Sequence, residues 1–164
     1  FADGEYLRKE MQFLIDNDIK DKGEYQLTNA MENMKQKGAR FKAGSVDVWM
    51  DCGNKNAMVD TNTKVLGFLK DEKGLVSASL KSTNSVVIPP CFIGENVSLT
   101  NSVVGPNVSI ESGAVVTGSV VRNSILRGHT RVQDCVMDNS MIGERAQVKG
   151  TALDVSISDD STLG

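Results

Sequence analysis

From Val87 to Ile157 an aliphatic residue returns every five or six positions, with a second small or apolar residue four places after it. The stretch divides into the units VIPPCF, IGENVS, LTNSV, VGPNVS, IESGAV, VTGSV, VRNSI, LRGHTR, VQDCV, MDNSM, IGERAQ, VKGTA and LDVSI. Three units make one coil of sixteen or seventeen residues, so the leading residues form three columns. These are Val87, Val104, Val121, Met137 and Leu153; Ile93, Ile110, Leu126 and Ile142; and Leu99, Val116, Val132 and Val148. Neither a coiled-coil heptad nor the alternation of a flat antiparallel sheet fits this spacing, whereas short strands separated by tight corners do. The pattern therefore predicts a triangular β-solenoid whose coils stack roughly 4.8 Å apart.

In such a coil the first and fifth residues of each unit are expected to point inward. The fifth-position columns read Cys91, Val108, Ile125, Met141 and Ile157; Val97, Ala114, Thr130 and Ala146; and Val103, Val120, Val136 and Ala152. Only Thr130 brings a polar group. Each buried aliphatic side chain contributes roughly 1.5–3 kcal/mol, so repeated stacking rather than any single contact holds the solenoid together. Asn, Gly, Asp and Ser fill the corners, as sharp turns require. Glu111 and Arg127 share the second position of neighbouring coils and are expected to form a surface ion pair worth under about 1 kcal/mol. Asp154, Asp159 and Asp160 lie where the repeat decays and read as a solvated chain end rather than a calcium site.

Before Lys81 the repeat is absent and charge is concentrated, which places a domain boundary at Lys81 to Asn84 and divides the chain into 1–80 and 81–164. Tyr6 to Asn17 carries Leu7, Met11, Leu14 and Ile15 on one helical stripe. Asn29 followed by Glu32 reads as a capping box opening a second helix that ends near Gly38. Arg40 to Lys42 and Val46 to Met50 read as strands about an Ala-Gly turn. Asn54 caps a third helix from Lys55 to about Lys70, bearing Ala57, Val65, Leu66 and Leu69. These stripes are too few for an independent core, and the chain opens on Phe1, so it reads as a fragment of something longer.

Composition narrows the classes. A 164-residue chain with 40% apolar residues and a net charge of −3 has no broad attraction for nucleic acid or an anionic membrane. It has no apolar run near the roughly 20 residues that span a bilayer and no secretory signal pattern, so a cytoplasmic protein is expected. Cys52, Cys91 and Cys135 form no CxxC pair and read as structural thiols. Cys91 points inward and Cys135 takes the place of Ser119 and Thr151 in a corner column, so the two should not meet.

Two resemblances now bear on function. The hexapeptide units match the repeat of left-handed β-helix proteins, and the pentads LTNSV, VRNSI and MDNSM resemble those appended to sugar nucleotidyltransferases. Handedness comes from that resemblance alone. Upstream, EYQLTNAMENMKQKG, a short strand and then VDVWMDCGNKNAMVDTNTKVL resemble the end of the catalytic domain of sugar-1-phosphate nucleotidyltransferases, where E-Y-x-L-T-D-A precedes W-x-D-x-G and a helix. The resemblance, closest to the glucose-1-phosphate thymidylyltransferase type, runs from about Glu5 to the end and implies a small α/β remnant of that domain followed by a left-handed β-helix.

Enzymes of this family join a nucleoside triphosphate to a sugar 1-phosphate and release pyrophosphate, work that calls for Mg2+ held by one or two carboxylates and the substrate phosphates. The resemblance makes Asp51 a magnesium ligand and catalytic residue. It sets Trp49 beside that ligand and Gly53 where backbone passes close to the site, and puts Glu24 and Thr28 near the sugar pocket. Asn29 departs from the family's Asp, and Asn54-Lys55 from its Thr-Pro or Thr-His. The glycine-rich nucleotide signature, the second metal-binding Asp and the sugar-phosphate Lys are absent, so the chain alone should be inert.

Two other readings compete. His129, the only histidine, sits in LRGHTR at a corner between Gly113 and Arg145 and reads first as a solvated corner residue. As a general base it would make the chain a hexapeptide acyltransferase binding coenzyme A between subunits. A lone histidine excludes a β-helical carbonic anhydrase, which needs three histidine ligands. Alternatively, the solenoid is a non-catalytic oligomerisation module, its flat faces and open ends covered by another copy.

Overall fold

The computed structural model describes residues 3–150 and 152–164. Thr151 and the side chains of Ala152 and Leu153, three positions of the repeat columns, lie outside what it describes. The chain forms two compact units, one ending at Val48 and the other running Trp49–Gly164. The compositional boundary near Lys81 thus falls inside the second unit.

The first unit is helical. Helix α1 (Gly4–Asp16) starts on Asp3, whose carboxylate accepts the Tyr6 N–H at 2.9 Å, and buries Leu14. Its expected stripe is only partly used: Met11 and Ile15 are exposed, while Glu10 is buried and held by Lys37 at 2.6 Å. Helix α2 (Leu27–Gln36) buries Ala30 and Met34. Its cap position, Gln26, lies three residues before the expected Asn29 and offers no side-chain cap, so Asn29 lies inside the first turn. The strands expected at Arg40 to Lys42 and Val46 to Met50 do not form. An isolated two-stranded hairpin is marginal in water, and among the described residues no sheet edge pairs with these segments; Val46 and Val48 are exposed. The expected α/β remnant is therefore, within this chain, helices and loops.

The second unit opens with helix α3 (Lys55–Leu69), capped by Asn54 as the sequence indicates, its Oδ1 accepting the Ala57 N–H at 3.0 Å. The solenoid follows as β1 (Lys81–Thr83), β2 (Val86–Val87) and β3 (Cys91–Ile93); β4 (Ser98–Thr100), β5 (Val103–Val104) and β6 (Val108–Ile110); and β7 (Val115–Thr117), β8 (Val120–Val121) and β9 (Ile125–Leu126). It continues with β10 (Arg131–Gln133), β11 (Val136–Met137) and β12 (Met141–Ile142), then β13 (Gln147–Lys149), β14 (Ala152–Leu153), β15 (Ser156–Ile157) and a closing β16 (Thr162–Leu163). Every third strand pairs in parallel, giving the sheets β1-β4-β7-β10-β13-β16, β2-β5-β8-β11-β14 and β3-β6-β9-β12-β15. This is the mainly β solenoid that the periodicity predicts. It is longer than the apparent repeat, beginning at Lys81 and reaching Leu163.

Coil length falls along the axis. Paired positions advance by 17 residues from Lys81 to Ser98 and from Ser98 to Val115, by 16 from Val115 to Arg131 and from Arg131 to Gln147, and by 15 from Gln147 to Thr162. Corners are made by residues at positive φ, among them Asn96, Gly113, His129, Arg145 and Asp160, which stand one above another. Asn and Gly tolerate that conformation best, which is why they fill most corners.

The leading columns are inward as expected, Val87 alone being partly exposed among the described side chains. Up to Ala146 the fifth-position columns are inward only in six-residue units: Cys91, Val97, Val108, Ala114, Thr130 and Ala146 are buried. In the five-residue units as far as Met141 the fifth residue faces outward, leaving Val136 exposed and Val103, Val120, Ile125 and Met141 half-buried. Ile157 leaves its expected column: Ser156 pairs with Met141, so Ile157 pairs with the inward Ile142 and packs against the core. The missing residue shifts the alternation by one, since side chains of a strand alternate with a period of two. A small polar residue is tucked in instead: Ser102, Ser119, Ser124, Cys135 and Ser140 are buried.

These residues form ladders. The Ser119 hydroxyl donates to the Thr117 carbonyl at 2.7 Å and accepts the Cys135 N–H of the next coil at 3.1 Å. Ser102 likewise accepts the Ser119 N–H at 3.2 Å, and Ser140 accepts that of Val155 at 3.1 Å. Hydroxyls thus satisfy backbone groups that a shortened corner leaves without a ladder partner.

Helix α3 lies along the solenoid. At its start Lys55 donates to the Asn139 carbonyl at 2.8 Å and pairs with Asp154; two turns later Asn62 accepts the Ser109 hydroxyl at 2.6 Å. Seven helical residues rise about 10 Å, which matches the two coils from Asn139 back to Asn107 at roughly 4.8 Å each. The helix therefore runs against the direction in which the coils advance. Val59 and Leu66 are buried, and Met58 sits beside the outward Ile125 and Met141. Among the described residues no helix is long and apolar enough to cross a membrane.

Candidate functional site

The W-x-D-x-G segment becomes an irregular loop feeding directly into α3. Asp51 closes it: Oδ1 accepts the Gly53 N–H at 2.9 Å, and its carbonyl accepts the Thr61 hydroxyl at 3.2 Å. Such a turn explains the small residue at 53, because a Cβ there would stand 3.2 Å from Asp51 Oδ1. Asp51 is exposed. Thr61, a turn and a half into α3, pins this loop; nothing in the linear motif marks it.

Trp49 is 83% exposed. Glu24 and Thr28 belong to the first unit, whereas Trp49, Asp51 and Gly53 belong to the second. Glu24 ends a tight turn in which Asp21 and Glu24 exchange backbone hydrogen bonds of 2.9 and 3.0 Å, with Lys22 and Gly23 at positive φ. This matches the hairpin turn that favours Gly at its second central position. Thr28 lies exposed in the first turn of α2.

Tyr25, between them, has a plain structural part. Its hydroxyl donates to Asp18 at 2.7 Å while Lys20 lies 4.9 Å from its ring. The hydrogen bond to Asp18 raises the Tyr25 phenol above its ordinary value, and Lys20 followed by Tyr25 lowers the Asp18 carboxyl.

Among the described residues no three His, Cys, Asp or Glu side chains are grouped to hold a metal ion. Asp51 fits one ligand of a Mg2+ ion that takes its other oxygens from substrate, the usual arrangement for that cation.

His129 stands at its expected corner, with φ of 57° and its ring over Gly113, where a Cβ would come within 2.4 Å of Nδ1. With Phe92, Glu111, Ser112, Gly128 and Glu144 it lines an open concavity of about 370 Å³. Glu111 pairs with Arg127 at 2.7 Å as the sequence indicates, and its other oxygen accepts the Gly128 N–H at 2.9 Å. The acids of the last coil are not loosely solvated. Asp160 takes Arg145 in a two-pronged contact, Asp159 accepts the Glu144 N–H at 2.6 Å, and Asp154 holds Lys55. Cys91 and Cys135 are buried free thiols, their acidity weakened mainly by desolvation, and Cys52 is exposed.

No family model matches the chain. Its sequence is similar to the glucose-1-phosphate thymidylyltransferase of Streptomyces antibioticus, 27% identical over 142 residues, and to that of Streptomyces griseus, 32% identical over 142 residues. Each alignment takes in 77% of this chain and 40% of the relative, so the chain spans about 40% of the length of the proteins it matches. Together with the solenoid and the Asp51 loop, these matches make the chain a relative of sugar-1-phosphate nucleotidyltransferases of the glucose-1-phosphate thymidylyltransferase type.

Proposed function

We propose that this chain is the C-terminal portion of a sugar-1-phosphate nucleotidyltransferase, which joins a nucleoside triphosphate to a sugar 1-phosphate and releases pyrophosphate. One observation carries the reading: the loop presenting Asp51 runs without a break into a capped helix bound along a solenoid. A carboxylate steadied by the Gly53 N–H and, through its own carbonyl, by the Thr61 hydroxyl is held ready for a cation, while the repeat gives that loop a rigid base. In the whole enzyme Asp51 supplies one oxygen to Mg2+, which draws charge from the phosphates. Gly53 and Thr61 keep the carboxylate in place, and Glu24 and Thr28 belong to the sugar side. The solenoid serves assembly, and the protein works in the cytoplasm.

A single carboxylate cannot gather nucleotide, sugar phosphate and metal, so the 164-residue chain alone is inactive. Given thymidine or uridine triphosphate, glucose 1-phosphate and Mg2+, it should release no pyrophosphate; clear turnover would refute this division of labour. Binding of acetyl-coenzyme A in calorimetry would instead favour the acyltransferase reading built on His129, whose concavity is open and lacks any loop projecting from the coils to shield a thioester.

A further inference from the structure

Helix α3 meets the solenoid along one corner. Asn107, Asn123, Asn139 and Asp154 each stand two residues before a member of the column Ser109, Ile125, Met141 and Ser156, and that column is paired in register from coil to coil. The four corner residues are therefore stacked. Asn107 donates to Asn123 Oδ1 at 2.9 Å, and Asn139 donates to the Asp154 carboxylate at 3.3 Å. Three corners are Asn at positive φ, a residue that tolerates such a turn. The fourth is an acid. Among the described contacts, α3 reaches this corner through Lys55, Asn56 and Asn62, and of these only Lys55 is charged.

Lys55 is the first residue of α3, where unpaired N–H groups and the helix dipole disfavour a cation. What it grips explains it better than the helix it opens. Its side chain is only 20% exposed, and Nζ donates to the Asn139 carbonyl at 2.8 Å while pairing with Asp154. Asn56 adds a bond, its Oδ1 accepting from Asn139 at 3.2 Å. Both supports of Asp51 lie on either side of this grip: Gly53 just before it, and Thr61 further along the same helix. Lifting the start of α3 off the corner would move both.

We propose that Lys55, held by Asp154 and the Asn139 carbonyl, is a positioning residue for Asp51, so that the fourth and fifth coils of the solenoid set the place of that carboxylate. The proposal rests on the reading of Asp51 as a cation ligand, but its first test needs no metal, nucleotide or sugar. Asp154 is the acid that the last corner carries because Lys55 faces it; the corners without a cation opposite them keep Asn.

In the 164-residue chain, Lys55→Met removes the charge while keeping much of the side chain's length, and Asp154→Asn installs the residue found at the other corners. Each should lower the NMR order parameter of the Gly53 amide from the rigid range near about 0.85 to roughly 0.6 or below, with the amides of β9 and β12 unchanged. Lys55→Arg, which retains the charge, should keep most of that order. Should Lys55→Met unfold the chain, Asp154→Asn still decides the matter, because it gives the corner an ordinary residue. A Gly53 amide as rigid in Asp154→Asn as in the parent would overturn the proposal. In the proposed full-length nucleotidyltransferase, both variants should raise the Mg2+ concentration for half-maximal pyrophosphate release about tenfold, with kcat at saturating Mg2+ close to the parent's. A merely structural contact would lower the melting temperature and leave the Mg2+ requirement alone. An unaltered requirement in both variants, where Asp51→Asn does alter it, would refute the positioning role by itself. If Asp51→Asn leaves the requirement unaltered, the cation reading of Asp51 fails, and the positioning role falls with it.

Discussion

At the scale of single residues, the chemistry of the five-residue units decides the core. Ser119 is buried and lends its hydroxyl to two backbone groups, Thr117 below and Cys135 above. Ser119→Ala removes the acceptor for a buried N–H, which costs about 1–3 kcal/mol. For a chain of this size that is a drop of several degrees in melting temperature, measurable by calorimetry; an unchanged transition would contradict the ladder. The thiols give a second check. A disulfide-exchange reagent at mildly alkaline pH should modify Cys52 rapidly in the native protein, and Cys91 and Cys135 only after unfolding, because burial both shields them and weakens their acidity. Fast modification of all three would show that the coils open. The sequence displayed the leading columns plainly, since a large aliphatic residue has no other place in a repeating rung. It hid the inversion at Val103, Val120 and Val136, because Val is at home on either face of a strand. The signal was present in the Ser or Cys that comes fourth in LTNSV, VTGSV, VRNSI, VQDCV and MDNSM.

At the scale of elements, α3 was legible down to its cap and α2 in all but its start, for a physical reason. Asn54 is the only cap available where the apolar pattern of α3 begins, and the structure uses it. In α2 the burial of Ala30 and Met34 fixes the helix, and packing pulls its start back to Leu27 past the better capping residue. The lost strands around Ala43-Gly44 carry β-prone residues, but a strand needs a neighbour. Removing the cap with Asn54→Ala should cost about 0.5–2 kcal/mol and show as faster amide exchange confined to the first turn of α3; uniform protection would mean the cap is idle. The same helix is moored by Lys55 to Asp154, whose carboxyl is held below its ordinary 3.8 by the hydrogen bond to Lys55 and then by that to Asn139. A carboxyl with a depressed folded value contributes stability above its unfolded value and loses it as pH falls through the folded one. Mooring of α3 should therefore be complete at neutral pH and weaken only in acid below that range. NMR titration in which Asp154 moves at its ordinary value, unaffected by Lys55→Met, would contradict the contact.

At the scale of the whole molecule, a stacked repeat gives a rigid rod, and α3 couples that rod to the loop bearing Asp51. The functional reading depends on this coupling. The sequence pointed to Asp51 through its neighbours Trp49 and Gly53, yet the bond between its carboxylate and the Gly53 N–H, and the pin from Thr61, appear only in three dimensions. Glu24 and Thr28 stayed beyond reach of such an argument, since they sit in a separate unit and are exposed. The most direct test of the proposed function measures Mg2+-dependent pyrophosphate release by the proposed full-length nucleotidyltransferase, with and without Asp51→Asn. If Asp51 is a cation ligand, the substitution should lower kcat by about a hundredfold or more and demand more Mg2+, with the melting temperature unchanged. Full activity and an unaltered Mg2+ requirement in the Asp51→Asn enzyme would contradict the account.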